Sequence, residues 1–245
     1  DALRRLVDRI PGAKVLPVLR RGNVRGAMHA GMSTTDTVEV LRAAIEGRVN
    51  CLVTVGADPI ADVPDADLVR RAMAAIPRHI SIDTFLTASN QNADVVLPAA
   101  AFGEKDGTTT NAEGRVTQLA RKVTVHGTAR PDWMIAVELA DLLGHDFGFS
   151  SIEDVTDSLV ASVPAYAEAA TTGFARGTFG SLPDAVAADQ IPSGYDFRLV
   201  VSRKLYDRAV STAMSPTIAK LGVGAGARIH PLDLPRVGVE SGTEV

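Results

Sequence analysis

The sequence predicts an α/β fold, a mostly parallel sheet with helices on both faces, followed by a partial β-rich C-terminal unit. Three observations carry that expectation. Short apolar runs alternate with amphipathic stretches of helical period, glycine or proline punctuates most of their ends, and the runs read apolar throughout, as strands buried on both faces do. At 245 residues, 46% hydrophobic and 22% charged, the chain can bury a sizeable core.

Leu3, Leu6, Val7 and Ile10 share a helical face that Pro11-Gly12 ends, and "AKVLPVL" (13–19) follows as an apolar strand. "RRGNVRGAMHAGM" (20–32) keeps neither period and reads as a long irregular loop. "TDTVEVLRAAIEG" (35–47) is a helix closed by Gly47, and "VNCLVTVGADP" (49–59) a strand that should bury Cys51 and end in a glycine turn. "DADLVRRAMAAIPR" (65–78) repeats the helix, while "HISIDTF" (79–85) and "ADVVLPAAA" (93–101) supply further strands. "RPDWMIAVELADLLG" (130–144) is a helix with Pro131 in its first turn, and "SSIEDVTDSLVASV" (150–163) starts on a capping box of Ser150 with Glu153. These elements define an α/β domain over 1–163, then a linker or surface excursion over 164–194. The unit over 195–245 reads as strands in "YDFRLVVSRKLYD" (195–207) and "GARIHPLDLPRVGVESGTEV" (226–245), too few to close a barrel.

Composition excludes several functions. The net charge is −4, with the two signs interspersed, which gives no basic stripe for nucleic acid. No apolar run approaches the roughly 18 residues of a membrane span, so direct membrane insertion is not expected. The single cysteine cannot form an internal disulfide or an iron–sulfur ligand set within the chain, and the five histidines lack metal-ligand spacing. A Walker loop is absent, and "GVGAGA" (222–227) follows no strand, which argues against a conventional NTPase or dehydrogenase. The first residue is aspartate rather than methionine, and the expectation is a piece of a longer polypeptide.

Candidate site residues cluster at strand ends and in one loop. Gly56 lies where ligands sit in open parallel sheets, and it reads either as a tight turn with Asp58 or as a phosphate contact. Asp83 either accepts hydrogen bonds from a purine base or ribose, or caps the next turn. The loop "FGEKDGTTTNAEGR" (102–115) offers carboxylates in Glu104, Asp106 and Glu113. Its polar side chains, Thr108 and Asn111 among them, serve a ligand or the loop's own backbone equally well.

"GADP" (56–59), "IDTFLTASNQNADVVLPAAAFGEKDGTTTNAEGRVTQ" (82–118) and "GTARPDWMIAVELADLLG" (127–144), in that order, resemble the molybdopterin oxidoreductase family. Within it, "LPVLRRGNVRGAMHAGM" (16–32) and "DVVLPAAAFGEKDGTTTNAEGRV" (94–116) look most like the large iron–sulfur subunit of NADH-quinone oxidoreductase, respiratory complex I. Residues 197–222 are similar to the opening of the family's dinucleotide-binding barrel.

The resemblance implies Gly56, Asp83, Gly107, Thr108 and Asn111 as cofactor-binding positions, with no catalytic residue and no metal ligand in this chain. Asp58 stands where the family's molybdenum enzymes commonly carry asparagine, and a carboxylate facing a pyrophosphate would repel it. The leading expectation is therefore a structural part of the large iron–sulfur subunit of complex I, with no cofactor of its own and iron–sulfur clusters held elsewhere in that subunit. Its partners would be other subunits of the peripheral arm, on the cytoplasmic face of a bacterial inner membrane. The alternative is a fragment of a formate dehydrogenase-like molybdenum or tungsten enzyme that grips molybdopterin guanine dinucleotide. A third reading is an independent nucleotide-binding module.

Overall fold

The computed structural model describes residues 2–13, 21–32, 35–175, 194, 196–200, 210–222 and 226–244. The chain forms two compact units, 1–191 and 192–245. The expected strand over 13–19 lies almost wholly outside the described residues.

The first unit runs α1 (Ala2–Arg9), α2 (Val24–His29), α3 (Thr37–Ile45), β1 (Leu52–Val55), α4 (Pro59–Asp62), α5 (Ala66–Ala75), β2 (His79–Asp83), β3 (Val95–Pro98), β4 (Gly107–Thr110), β5 (Val116–Leu119), α6 (Asp132–Leu142), α7 (Ile152–Ser162) and α8 (Pro164–Thr172). Strands β1, β2 and β3 form a parallel sheet in that order, with Val55 opposite Ile82 and Ile82 opposite Leu97. Local chemistry starts its helices. Asp36 caps α3 by accepting from Val38 N at 2.6 Å, and Asp65 caps α5 by accepting from Leu68 N at 2.9 Å.

Alternation along the strands sends two sets of side chains to opposite faces. Leu52 joins Leu41 and Ala44 of α3, Leu68, Val69 and Ala72 of α5, and Ile76 just past the end of α5, in the main core on one face. Ile82 and Leu97 meet Ile135 and Leu139 of α6 on the other. Helices therefore do cover both faces, but α6 leaves β1 open, and Val53 and Val55 are 51% and 50% exposed. Cys51 shares their parity and is exposed, contrary to the burial expected for a strand covered on both sides.

Several elements differ from the sequence reading. Residues 24–29, expected in a loop, form α2, whose entry residue Asn23 is held by a distant backbone amide rather than by a local cap. Residues 164–172, expected in a linker, form α8, which buries Tyr166 and Ala169. The capping box of α7 is Ser151 with Asp154, one residue on from the expected pair, and bonds from Ser150 and Ser151 hold the Asp154 carboxyl below its ordinary range. In the second unit none of the described residues is a strand, and most of the expected strand over 195–207 lies outside the described residues. Its helical segments are α9 (Val210–Ala213), the tighter turns Ala219–Leu221 and Pro231–Asp233, and α10 (Leu234–Val237). Pro231 and Pro235 lack the N–H that a strand ladder needs and suit first helical positions instead, which explains the lost C-terminal strand.

Candidate functional site

The carboxyl ends of β1 and β2 bring Gly56 and Asp83 to one edge. Gly56 takes φ +56, and its N–H donates to Ile82 O at 2.9 Å. A Cβ built there meets nothing within 4 Å, so the turn is open, and its backbone conformation favours glycine. Asp83 Oδ1 accepts from Thr84 N at 2.7 Å and from Phe85 N at 3.3 Å. Its Oδ2 has only a long contact to Asn90 Nδ2 at 3.5 Å, leaving acceptor capacity on a half-buried carboxylate.

Asp58 points elsewhere than the sequence suggested. It is 9% exposed, and its Oδ1 accepts from Ser89 Oγ at 2.5 Å, while Ser89 Oγ accepts from Ile60 N at 2.9 Å. The carboxylate is folded into the following loop, so the expected repulsion of a pyrophosphate loses its geometric basis. Sequence reasoning missed this loop's role. Thr87, Ser89 and Asn90 are buried, and Asn90 Oδ1 accepts from Thr87 N at 2.7 Å while its Nδ2 donates to Phe85 O at 3.0 Å. The available signal was "TASNQN", a polar run between two strands with too many hydrogen-bonding groups for a plain turn.

Gly107, Thr108 and Asn111 lie in a separate feature, the antiparallel hairpin of β4 and β5, with Thr108 opposite Gln118. Asn111 Oδ1 accepts from Glu113 N at 3.0 Å and Arg115 N at 2.9 Å, which closes the turn. The neighbouring charges are also occupied. Glu104 accepts from Ala101 N, Lys105 pairs with Asp132, and Asp106 accepts from Arg121 N. Residues 173–175 run beside β5, with Val116 N donating to Gly173 O at 2.9 Å and Ala175 N to Gly114 O at 2.7 Å. Gly114 has φ +93, and a Cβ on it would stand 2.5 Å from Ala175 O.

A cavity of about 270 Å³ opens between this hairpin and α2, lined by Arg21, Gly22, Asn23, Arg25, Thr110, Asn111 and Ala112. Arg21 pairs with Asp62 at 2.5 Å, which ties the cavity to α4 beyond the Gly56 turn. Arg25 is 7% exposed and donates to Ala112 O at 2.7 Å, Ala175 O at 3.1 Å and His29 Nε2 at 3.2 Å. Burial, and then the adjacent Arg25 charge, push His29 below the ordinary histidine range, which suits a neutral acceptor. Among the described residues no group of three or more His, Cys, Asp or Glu could hold a metal ion, and no helix is long and apolar enough to cross a membrane.

An open parallel sheet with a glycine turn and a carboxylate at its carboxyl edge is an α/β domain with the arrangement at which ligands generally bind in such sheets. This chain belongs to the molybdopterin oxidoreductase family, whose family model matches residues 9–142. It is 32% identical over 213 residues to the alpha subunit of an NADPH-Fe(3+) oxidoreductase from Geobacter sulfurreducens, covering 86% of this chain and 25% of that protein. It is 40% identical over 131 residues to the alpha subunit of F420-dependent formate dehydrogenase 2 from Methanococcus maripaludis, covering 53% of this chain and 19% of that one. The assimilatory nitrate reductase catalytic subunit of Bacillus subtilis is 34% identical over 131 residues, 53% of this chain and 18% of that one. The chain thus spans a quarter or less of the length of these relatives. By name they are alpha or catalytic subunits rather than complex I subunits, and a family named for molybdopterin sits with the cofactor-holding alternative rather than with a segment that holds none.

Proposed function

We propose that residues 1–245 are part of the alpha subunit of a molybdenum or tungsten oxidoreductase of the formate dehydrogenase kind. In this reading the edge formed by Gly56 and Asp83 holds the guanine end of a molybdopterin guanine dinucleotide. The observation that carries it is the division of labour between two aspartates. Asp58 is turned inward onto Ser89, which keeps its charge off the edge, whereas Asp83 keeps an Oδ2 acceptor at the edge. A guanine presents N–H donors on its pairing edge, and a carboxylate is the acceptor that suits them. The open Gly56 turn lets phosphate oxygens approach the backbone. The donor set therefore fits the group.

When bound, that cofactor supplies the two-electron chemistry at its metal. This chain's residues bind and orient it, and none is assigned to proton transfer. The architectural reading within complex I rested on the wording of residues 16–32 and 94–116 and on Asp58 as a repelling charge, and the bond from Ser89 to Asp58 weakens the second of these supports. Metal and nucleotide analysis of the full-length subunit tests the proposal. The expected result is about one molybdenum or tungsten per chain together with about one or two acid-released guanine nucleotides, as a mono- or bis-pterin site would give. Iron alone, with neither of them, would return the chain to the architectural reading.

A further inference from the structure

The cavity beside the hairpin is held from a stretch beyond the family match, which ends at residue 142. Tyr166 of α8 is 6% exposed, and its Oη lies 3.0 Å from Thr110 Oγ1 in a buried contact. Thr110 is 1% exposed and donates its backbone N–H to Asn23 Oδ1 at 2.9 Å. Asn23 takes φ 64, the one positive φ among the described non-glycine residues, and the Thr110 bond helps to hold it there. Gly26 makes room for the meeting, since a Cβ on it would overlap Asn23 Oδ1 and stand 2.8 Å from Tyr166 Oη.

These bonds also decide what the cavity offers. Asn23 Oδ1 is engaged by Thr110, and Asn111 Oδ1 by Glu113 and Arg115. Among the described residues neither carboxamide N–H2 group has a protein acceptor, and both side chains belong to residues that line the cavity, with Arg21, whose guanidinium pairs with Asp62. A wall of donors fits an oxygen-rich group.

We propose that Tyr166 is a positioning residue for cofactor retention. Its hydroxyl fixes Thr110, Thr110 fixes Asn23, and the cavity then presents its amide donors to an oxygen-rich part of the dinucleotide cofactor. This rests on the reading that the chain holds that cofactor.

The test uses the full-length subunit and its variants Tyr166→Phe, Thr110→Val, Thr110→Ser and the double variant Tyr166→Phe/Thr110→Val. Guanine nucleotide retained after extended dialysis is measured together with hydrogen exchange at the Thr110 amide. Losing one buried hydrogen bond predicts about fivefold weaker retention in Tyr166→Phe and in Thr110→Val, with the double variant no worse than either. Thr110→Ser keeps the hydroxyl and should retain cofactor like the parent. Exchange at Thr110 should quicken in Tyr166→Phe. A core variant such as Ile76→Val, chosen to match the melting temperature of Tyr166→Phe, controls for general loosening.

Parental retention in Tyr166→Phe, unchanged exchange at Thr110, or an equal loss in the matched core variant would each overturn the positioning role. A parent subunit that carries no guanine nucleotide would instead sink the cofactor reading, and this inference with it.

Discussion

The sheet edge and the hairpin cavity are built by opposite means. Around Asp83, the ligand-facing part of the edge, side-chain bonds are local: Asp83 accepts from residues one and two positions on, and Asn90 accepts from a residue three positions back. At the cavity they are remote, with Arg25 reaching carbonyls 87 and 150 residues away and Tyr166 reaching Thr110 across 56. A locally bonded edge can hold its ligand groups while the rest of the unit fluctuates. A remotely bonded cavity keeps its shape only when α2, the hairpin and α8 are all in place, so substitutions there should act through folding, and those at Asp83 through binding.

The largest effect belongs to the remote region. Gly114→Ala places a Cβ against the Ala175 carbonyl at positive φ, and should lower unfolding free energy by roughly 3 kcal/mol in a urea titration. A loss under about 0.5 kcal/mol would mean that residues 173–175 do not pack on the hairpin. Next comes Asp58→Ala, behind the edge, where the bond from Ser89 is itself remote, spanning 31 residues. It removes a buried acceptor from Ser89, at a cost of about 2 kcal/mol in stability, whereas Asp58→Asn keeps an acceptor and should cost less than about 1 kcal/mol. Neither should tighten nucleotide retention. A severalfold gain with Asp58→Asn would show that the carboxylate faces the ligand after all.

A smaller effect follows from His79, 5% exposed and within 3.0 Å of Thr54 Oγ1. Burial lowers its pKa, outweighing the raising influence of Asp94. The folded state therefore prefers neutral imidazole. The stability it contributes is complete above the ordinary histidine pKa of about 6.5 and is lost as pH falls below that value toward the folded-state pKa. Melting temperatures between pH 7.5 and 5 should show this decline, and His79→Gln should flatten it. The smallest effect is expected at Arg71, whose pair with Asp67 is 61% and 78% exposed, and Arg71→Ala should change stability by less than about 0.5 kcal/mol.

The same contrast explains what the sequence could disclose. Helices α3, α5 and α6 and the three parallel strands announce themselves because their period and caps lie within the element. The Asp36 and Asp65 caps, for example, reach only two and three residues along the chain. Helix α2 was illegible because Asn23 is held by Thr110, 87 residues on, and α8 because alanine and threonine gave "PAYAEAATT" no marked stripe. Gly56 and Asp83 could be placed at one edge from strand ends alone. The orientation of Asp58 could not, since Ser89 lies 31 residues away and nothing local favours it over solvent. The exposure of Cys51 depends on how far α6 reaches across the sheet, which no local pattern records.

The most direct test of the edge as a nucleotide grip is the guanine nucleotide retained by the full-length subunit carrying Asp83→Asn. The side-chain oxygen would stay bonded to Thr84 and Phe85, so an N–H2 donor would replace the Oδ2 acceptor and face the donors of guanine. Loss of a charge-assisted hydrogen bond predicts retention about tenfold or more below the parent at nearly unchanged stability. Equal nucleotide content in parent and variant would contradict the account.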